Sequence, residues 1–130
     1  MSDMIRRSLL PLCVCALALV HTGCSIKMMA INTLGNALAD GTSGFAKDDD
    51  PELVRDAVPF ALKTIESLIE QSPRHQGLLK AACSGFTQYS YAFIQQEADY
   101  IEAQDLDRAT AMRTRAKKLY LRGRDYGIRA

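Results

Sequence analysis

Apolar residues recur at three- and four-residue intervals along nearly the whole chain, while valine is scarce and period-two alternation is absent. That spacing gathers apolar side chains on one face of a helix, so the pattern predicts an all-α protein without a sheet. A first helix is expected over about 26–39, with Met29, Ala30, Leu34, Ala37 and Leu38 on its apolar side and Gly41-Thr42-Ser43-Gly44 breaking it. A second is expected from Pro51 to about Gln71, with Leu53, Val54, Ala57, Val58, Phe60, Ala61, Ile65, Leu68 and Ile69 spread widely enough to be sandwiched between neighbours. Asp48-Asp49-Asp50-Pro51-Glu52 opens it: Asp50 can accept from the free N–H groups of the first turn, Pro51 has the fixed φ of a first helical position, and the acids oppose the positive end of the helix dipole. Pro59 withholds a donor from the Arg55 carbonyl and predicts a kink. After Ser72-Pro73 a long third helix is expected from about Arg74 to Ala103, with Leu78, Leu79, Ala82, Phe86, Tyr89, Phe93, Gln96 and Tyr100 in register. A fourth starts after Asp105 and aligns Ala109, Met112, Ala116, Leu119, Gly123 and Tyr126 at near-heptad spacing. Ala61, Ile65, Leu68 and Pro73 have the spacing of the second helix of a tetratricopeptide repeat and its closing proline, so the helices are expected to form irregular tetratricopeptide-like hairpins.

Ahead of these helices, Arg6 and Arg7 precede an uncharged run, Ser8–Val20, followed by His21-Thr22-Gly23-Cys24. As helix this run rises about 20 Å, short of the roughly 30 Å hydrocarbon core of a bilayer. Residues 1–23 therefore read as a cleaved export signal. Gly23 is the small residue that a lipoprotein signal peptidase accepts, which makes Cys24 the expected lipid attachment site, although His21 stands where leucine is common. An ordinary cleavable signal that leaves Cys24 a plain thiol is the alternative. Ser25, in place of aspartate, favours sorting to the inner leaflet of a Gram-negative outer membrane. The mature domain is then 24–130, and Cys83 alone remains, so no disulfide framework is expected. Between Ala82 and Ser84, that thiol reads as a small buried hydrophobe.

The 130 residues carry 16 basic and 15 acidic side chains, so one domain is expected and no nucleic-acid partner. The charges are unevenly placed, with a basic stretch from Arg108 to Arg129 and an acidic one from Asp40 to Glu70. Two readings are open: solvated faces with intrachain pairing, or a surface that docks an acidic partner, with Arg113, Lys117 and Arg124 as candidate docking residues. His75 is the sole histidine of the mature chain, which removes HExxH and multi-histidine metal sites, and no nucleophile elbow or phosphate-binding glycine loop is present. No enzyme, cofactor or metal is expected, and His75 itself reads as a solvent-facing residue. Phe86, Tyr89, Phe93 and Tyr100 fall on one helix face, either as core packing or, for Phe86, Tyr89 and Phe93, as the lining of an apolar cavity.

Four segments resemble the T-component (TatT) family of TRAP transporters. They are Asp48-Asp-Asp-Pro-Glu-Leu-Val-Arg-Asp-Ala with Phe60-Ala-Leu-Lys-Thr-Ile-Glu-Ser-Leu, Ala81-Ala-Cys-Ser-Gly-Phe-Thr-Gln-Tyr-Ser-Tyr-Ala-Phe-Ile-Gln-Gln-Glu-Ala-Asp, and Arg115-Ala-Lys-Lys-Leu-Tyr-Leu-Arg-Gly-Arg-Asp-Tyr-Gly. The resemblance implies a periplasm-facing lipoprotein with a cryptic tetratricopeptide fold that can form a homotrimer. It further implies association with the periplasmic solute-binding protein of a tripartite ATP-independent transporter for apolar organic acids. Family members are longer, so 24–130 is expected to be the N-terminal part of a family domain. The competing expectation is an envelope structural lipoprotein whose helices bind other proteins and play no part in transport.

Overall fold

The computed structural model describes residues 26–40 and 47–130, and all of the described regular structure is helical. The export signal, Cys24 and the Gly41-Thr42-Ser43-Gly44 break lie outside the described residues. Helix α1 covers 26–40 and α2 Pro51–Gln71. Helix α3, Gln76–Tyr89, passes through a π-helical turn, Ser90–Gln95, into α4, Gln96–Ile101, and α5 covers Leu106–Arg129. The expected third helix is thus slightly shorter than 74–103 and is made of three segments.

Local chemistry fixes the helix ends. The Asp50 carboxylate accepts from the N–H groups of Glu52 and Leu53 at 3.1 and 3.0 Å, and the Asp105 carboxylate from Arg108 N–H at 2.9 Å. His75 is the N-cap of α3, not a solvent-facing residue of its first turn. Its Nδ1 accepts from Leu78 N–H at 3.2 Å, so the neutral ring carries its proton on Nε2, which faces the Asn32 carbonyl of α1 at 3.4 Å. Ser72 closes α2 by donating its N–H to the Leu68 carbonyl, and its hydroxyl donates to Asn32 Oδ1 at 3.2 Å.

Two hairpins share α3. The four-residue connection after Gln71 lays α2 against α3, and the turn at 102–105 returns the chain so that α5 packs along α3, the π turn and α4. The core between them holds Leu62, Ile65, Leu68 and Ile69 of α2, Leu78, Leu79, Ala82 and Phe86 of α3, Ile94 and Ala116. The inward series expected for α5 is observed, with Ala109, Ala116 and Gly123 buried and Met112, Leu119 and Tyr126 half-buried.

Three apolar faces differ from expectation. On α1 the core residue is Ile31, joined by Gly35, Leu38 and Ala39, whereas Met29, Ala30, Leu34 and Ala37 are exposed. Gly35 decides this: a Cβ there would lie 3.0 Å from Leu78 Cδ1, so α1 approaches α3 along the side where it has no side chain. On α2, Leu53 and Phe60 are 58% and 78% exposed, so the helix is covered on one side only. From the π turn onward the expected Phe93, Gln96 and Tyr100 give way to Ile94, Glu97 and Ile101 as the more buried set, each one residue later. The Gln96 N–H reaches back five residues to the Tyr91 carbonyl, and that wider turn holds one more residue than an α-helical turn.

Candidate docking face and groove

The π turn and α5 enclose a shallow groove of about 320 Å³, lined by Gln95, Arg113, Ala116, Lys117, Tyr120 and Leu121. Gln95 reaches it because the wide turn rotates the end of the segment toward α5, where its Oε1 accepts from the Tyr120 hydroxyl at 2.8 Å. Burial pushes the Tyr120 phenol up, and the charges of Tyr91 and Asp99 add to the shift. This tyrosine therefore stays a neutral donor, holding the Gln95 oxygen and leaving the amide N–H groups of Gln95 for the groove.

Arg113 ends the groove on the α4 side. Its guanidinium donates to Asp99 at 2.8 Å and to both Glu102 oxygens at 2.8 and 2.7 Å, a forked geometry that suits carboxylates. The hydrogen bond and charge of Arg113 hold Glu102 below the ordinary carboxylate range, and the same contacts push Arg113 up. Arg108 and Arg55 both pair with Glu97. Arg124 bonds its neighbour Asp125 at 2.7 Å and does not line the groove. Among the described residues, Arg115, Lys117 and Lys118 have no carboxylate within ion-pair distance. Of the expected docking residues, Arg113 and Lys117 therefore share one groove, and Lys117 alone of the three has no carboxylate partner among the described residues.

The expected cavity-lining aromatics sit elsewhere. Phe86 and Tyr89 are buried, and Phe93 is half-buried. The Phe86 ring stacks on Tyr126 with centroids 6.0 Å apart, Tyr89 and Phe93 are tilted at 5.5 Å, and Arg122 lies over Phe86 at 5.1 Å. None of the three lines the groove.

Sequence reasoning missed a polar node beside this stack. Glu66 is buried in α2 and binds Lys63 at 2.8 Å, the Tyr126 hydroxyl at 2.7 Å and Arg122 Nε at 2.6 Å. Burial pushes the Glu66 carboxyl up, but the hydrogen bonds from Lys63 and Tyr126 and the Arg122 charge outweigh it and hold the group below its ordinary 4.5. The signal was available in sequence: Glu66 is an acid interrupting the apolar series Ile65, Leu68, Ile69.

No cluster of metal-ligating side chains occurs among the described residues, and no described helix is long and apolar enough to cross a membrane. The described residues make a helical domain with charged faces and an open groove beside α5. The TRAP transporter T-component family matches residues 47–130, and the chain belongs to that family. Its members are envelope-associated accessory components of TRAP transporters, not enzymes. The chain is also 34% identical over 127 residues to an uncharacterized protein of Treponema pallidum (strain Nichols), an alignment covering 87% of this chain and 39% of that protein. It thus spans about two fifths of the length of that curated relative. No solved structure matches the chain.

Proposed function

We propose that this protein is a lipid-anchored, periplasm-facing accessory component of a TRAP-type uptake system that docks a solute-binding protein. The observation that carries the reading is the family match over 47–130. Residues 1–23 would direct export, Cys24 would carry the acyl chains in the inner leaflet of the outer membrane, and 24–130 would form part of a longer tetratricopeptide-like domain able to trimerise. Ion-gradient transport in separate membrane subunits leaves this chain with no need of ATP, metal or cofactor.

A second reading keeps the anchor but drops the transport role, making the domain an envelope protein-interaction module. One observation favours it: Phe86 and Tyr89 pack inside the helices and are absent from the groove lining, so an apolar ligand cavity draws no support from them. Crosslinking of the full chain in its native cells separates the two. Capture of a solute-binding protein supports the transport reading, and its consistent absence sinks it. The anchor has its own test: Cys24→Ala should abolish labelled-palmitate incorporation and release the chain from membranes, because acyl chains act as tether. Unchanged labelling would refute the assignment.

A further inference from the structure

The outer side of α5 carries features that the packing of the domain does not use. Leu121 and Ile128, 39% and 76% exposed, lie seven residues apart and so on one face, turned away from the core series of Ala116, Leu119, Gly123 and Tyr126. Leu121 continues into the groove, where the Tyr120 ring, Ala116 and the Gln95 amide lie beside it. Lys117 and Lys118 flank this stripe, one on each side, without a carboxylate among the described residues. Of the α5 arginines on the inner and groove sides, Arg108, Arg113 and Arg122 are matched by Glu97, Asp99, Glu102 and Glu66, while Arg115 has no such partner among the described residues. Of the two acids of α5, both on the outer face, Asp125 is held by Arg124 and Asp107 lies in the first turn, ten residues before Lys117. Among the described residues, intrachain pairing therefore neutralises three of the arginines beside the core of α5 and leaves a positive, apolar-centred strip on its outer side.

We propose that this strip docks an acidic amphipathic helix of a partner protein, with apolar residues over Leu121 and Ile128 and carboxylates on Lys117 and Lys118. A helix suits it because Leu121 and Ile128 stand one heptad apart on α5, and neighbouring groups line a groove into which a second ridge of side chains can pack. The acid requirement follows from the two uncompensated lysines, since a basic segment would meet like charge on both flanks. The proposal deepens the docking reading above and rests on it for the existence of a protein partner.

The test places p-benzoylphenylalanine at Leu121, and separately at the exposed Phe60 of α2, in the full chain made in its native cells. After irradiation the crosslinked peptide is mapped by mass spectrometry. Position 121 should capture a helix-forming segment of net negative charge. Capture should fall about tenfold in the Lys117→Glu, Lys118→Glu double variant, because repulsion replaces steering. Both lysines are exposed, and an unchanged circular dichroism spectrum confirms that the variant folds. A neutral or basic segment, a second copy of this chain, no capture at 121, or capture indifferent to the charge reversal each overturns the proposal. An acidic segment from a protein other than a solute-binding protein supports the strip and sinks the transport reading. A solute-binding protein captured at position 60 and never at 121 does the reverse.

Discussion

Glu66 shows how much one residue can hold in this protein. It is the only carboxylate buried among the described residues, and its three partners come from α2 itself and from two turns of α5. Glu66→Gln keeps the shape but leaves Arg122 without its counter-charge, and the loss expected is about 2 kcal/mol, the range for a hydrogen bond to a charged group. Urea denaturation measures it. Because the folded carboxyl titrates below its ordinary 4.5, its contribution is fully present above that value and is lost as pH falls through the lower folded value. The unfolding midpoint should therefore drop on acidification from about pH 6 to 3, and drop less in Glu66→Gln; parallel curves would refute the assignment. Asp50 acts at the other end of α2. Asp50→Ala orphans two first-turn donors and should cost about 1 kcal/mol. That cap was readable in sequence because Asp50-Pro51 needs nothing beyond its own neighbours, whereas two of the three partners of Glu66, Arg122 and Tyr126, arrive from more than fifty residues away.

At the scale of elements, the helices are legible where one periodicity holds and obscure where it changes. The inward face of α5 could be read directly, since the near-heptad series of Ala109, Met112, Ala116, Leu119, Gly123 and Tyr126 is its longest run of apolar and small residues on one face. The apolar residues of α1 surround it, so its buried side is decided by Gly35 and the helix it meets, a tertiary choice. In the third stretch the π turn inserts one residue, and a straight reading places Phe93, Gln96 and Tyr100 inward when Ile94, Glu97 and Ile101 are the ones that turn in. The groove was hidden for the same reason, since it depends on where that turn aims Gln95. If the turn is one surplus residue, deleting the exposed Ala92 should convert it to ordinary α-helix and leave Ala98 and Ile101 on α5, with a loss of about 1 kcal/mol. Deleting the exposed Thr114 from the regular α5 should instead rotate one half of its face against the other by about 100° and abolish cooperative unfolding. Equal losses in thermal melts of the two deletions would exclude a register-absorbing π turn. Gly123 adds a limit on how α5 can approach: a Cβ there would stand 3.1 Å from the Cys83 carbonyl oxygen and 3.0 Å from Thr87 Oγ1. Gly123→Ala gains about 1 kcal/mol of helix propensity but pays about 1–3 kcal/mol for crowding, and a net loss is expected on urea denaturation.

For the molecule as a whole, the two ends of the described chain carry very different shares of the structure. Helix α1 contributes Ile31 to the core, with Leu38 and Ala39 packed beside it, and touches the α2–α3 turn through Asn32. Helix α5 makes the most extensive helix pair, with α3, and its last turns supply the Tyr126 stack on Phe86, the Arg122 and Tyr126 partners of Glu66, and an Arg129 bond to the Pro73 carbonyl. These last contacts bridge the two hairpins, since Glu66 and Pro73 belong to α2 and the turn after it. A chain beginning at Asp48 should therefore remain folded, losing a few kcal/mol for one buried isoleucine and its neighbours, of which the isoleucine alone is worth about 1.5–3 kcal/mol. A chain ending at Leu119 removes Gly123, Tyr126 and Arg122 together and strands Glu66 as a buried carboxylate with Lys63 alone, so cooperative unfolding should be lost. Urea denaturation followed by circular dichroism distinguishes these outcomes. A sigmoidal transition in the Leu119-terminated chain would mean that α2 and α3 form a self-sufficient hairpin, and α5 would then be a docked accessory instead of the element that joins the two hairpins.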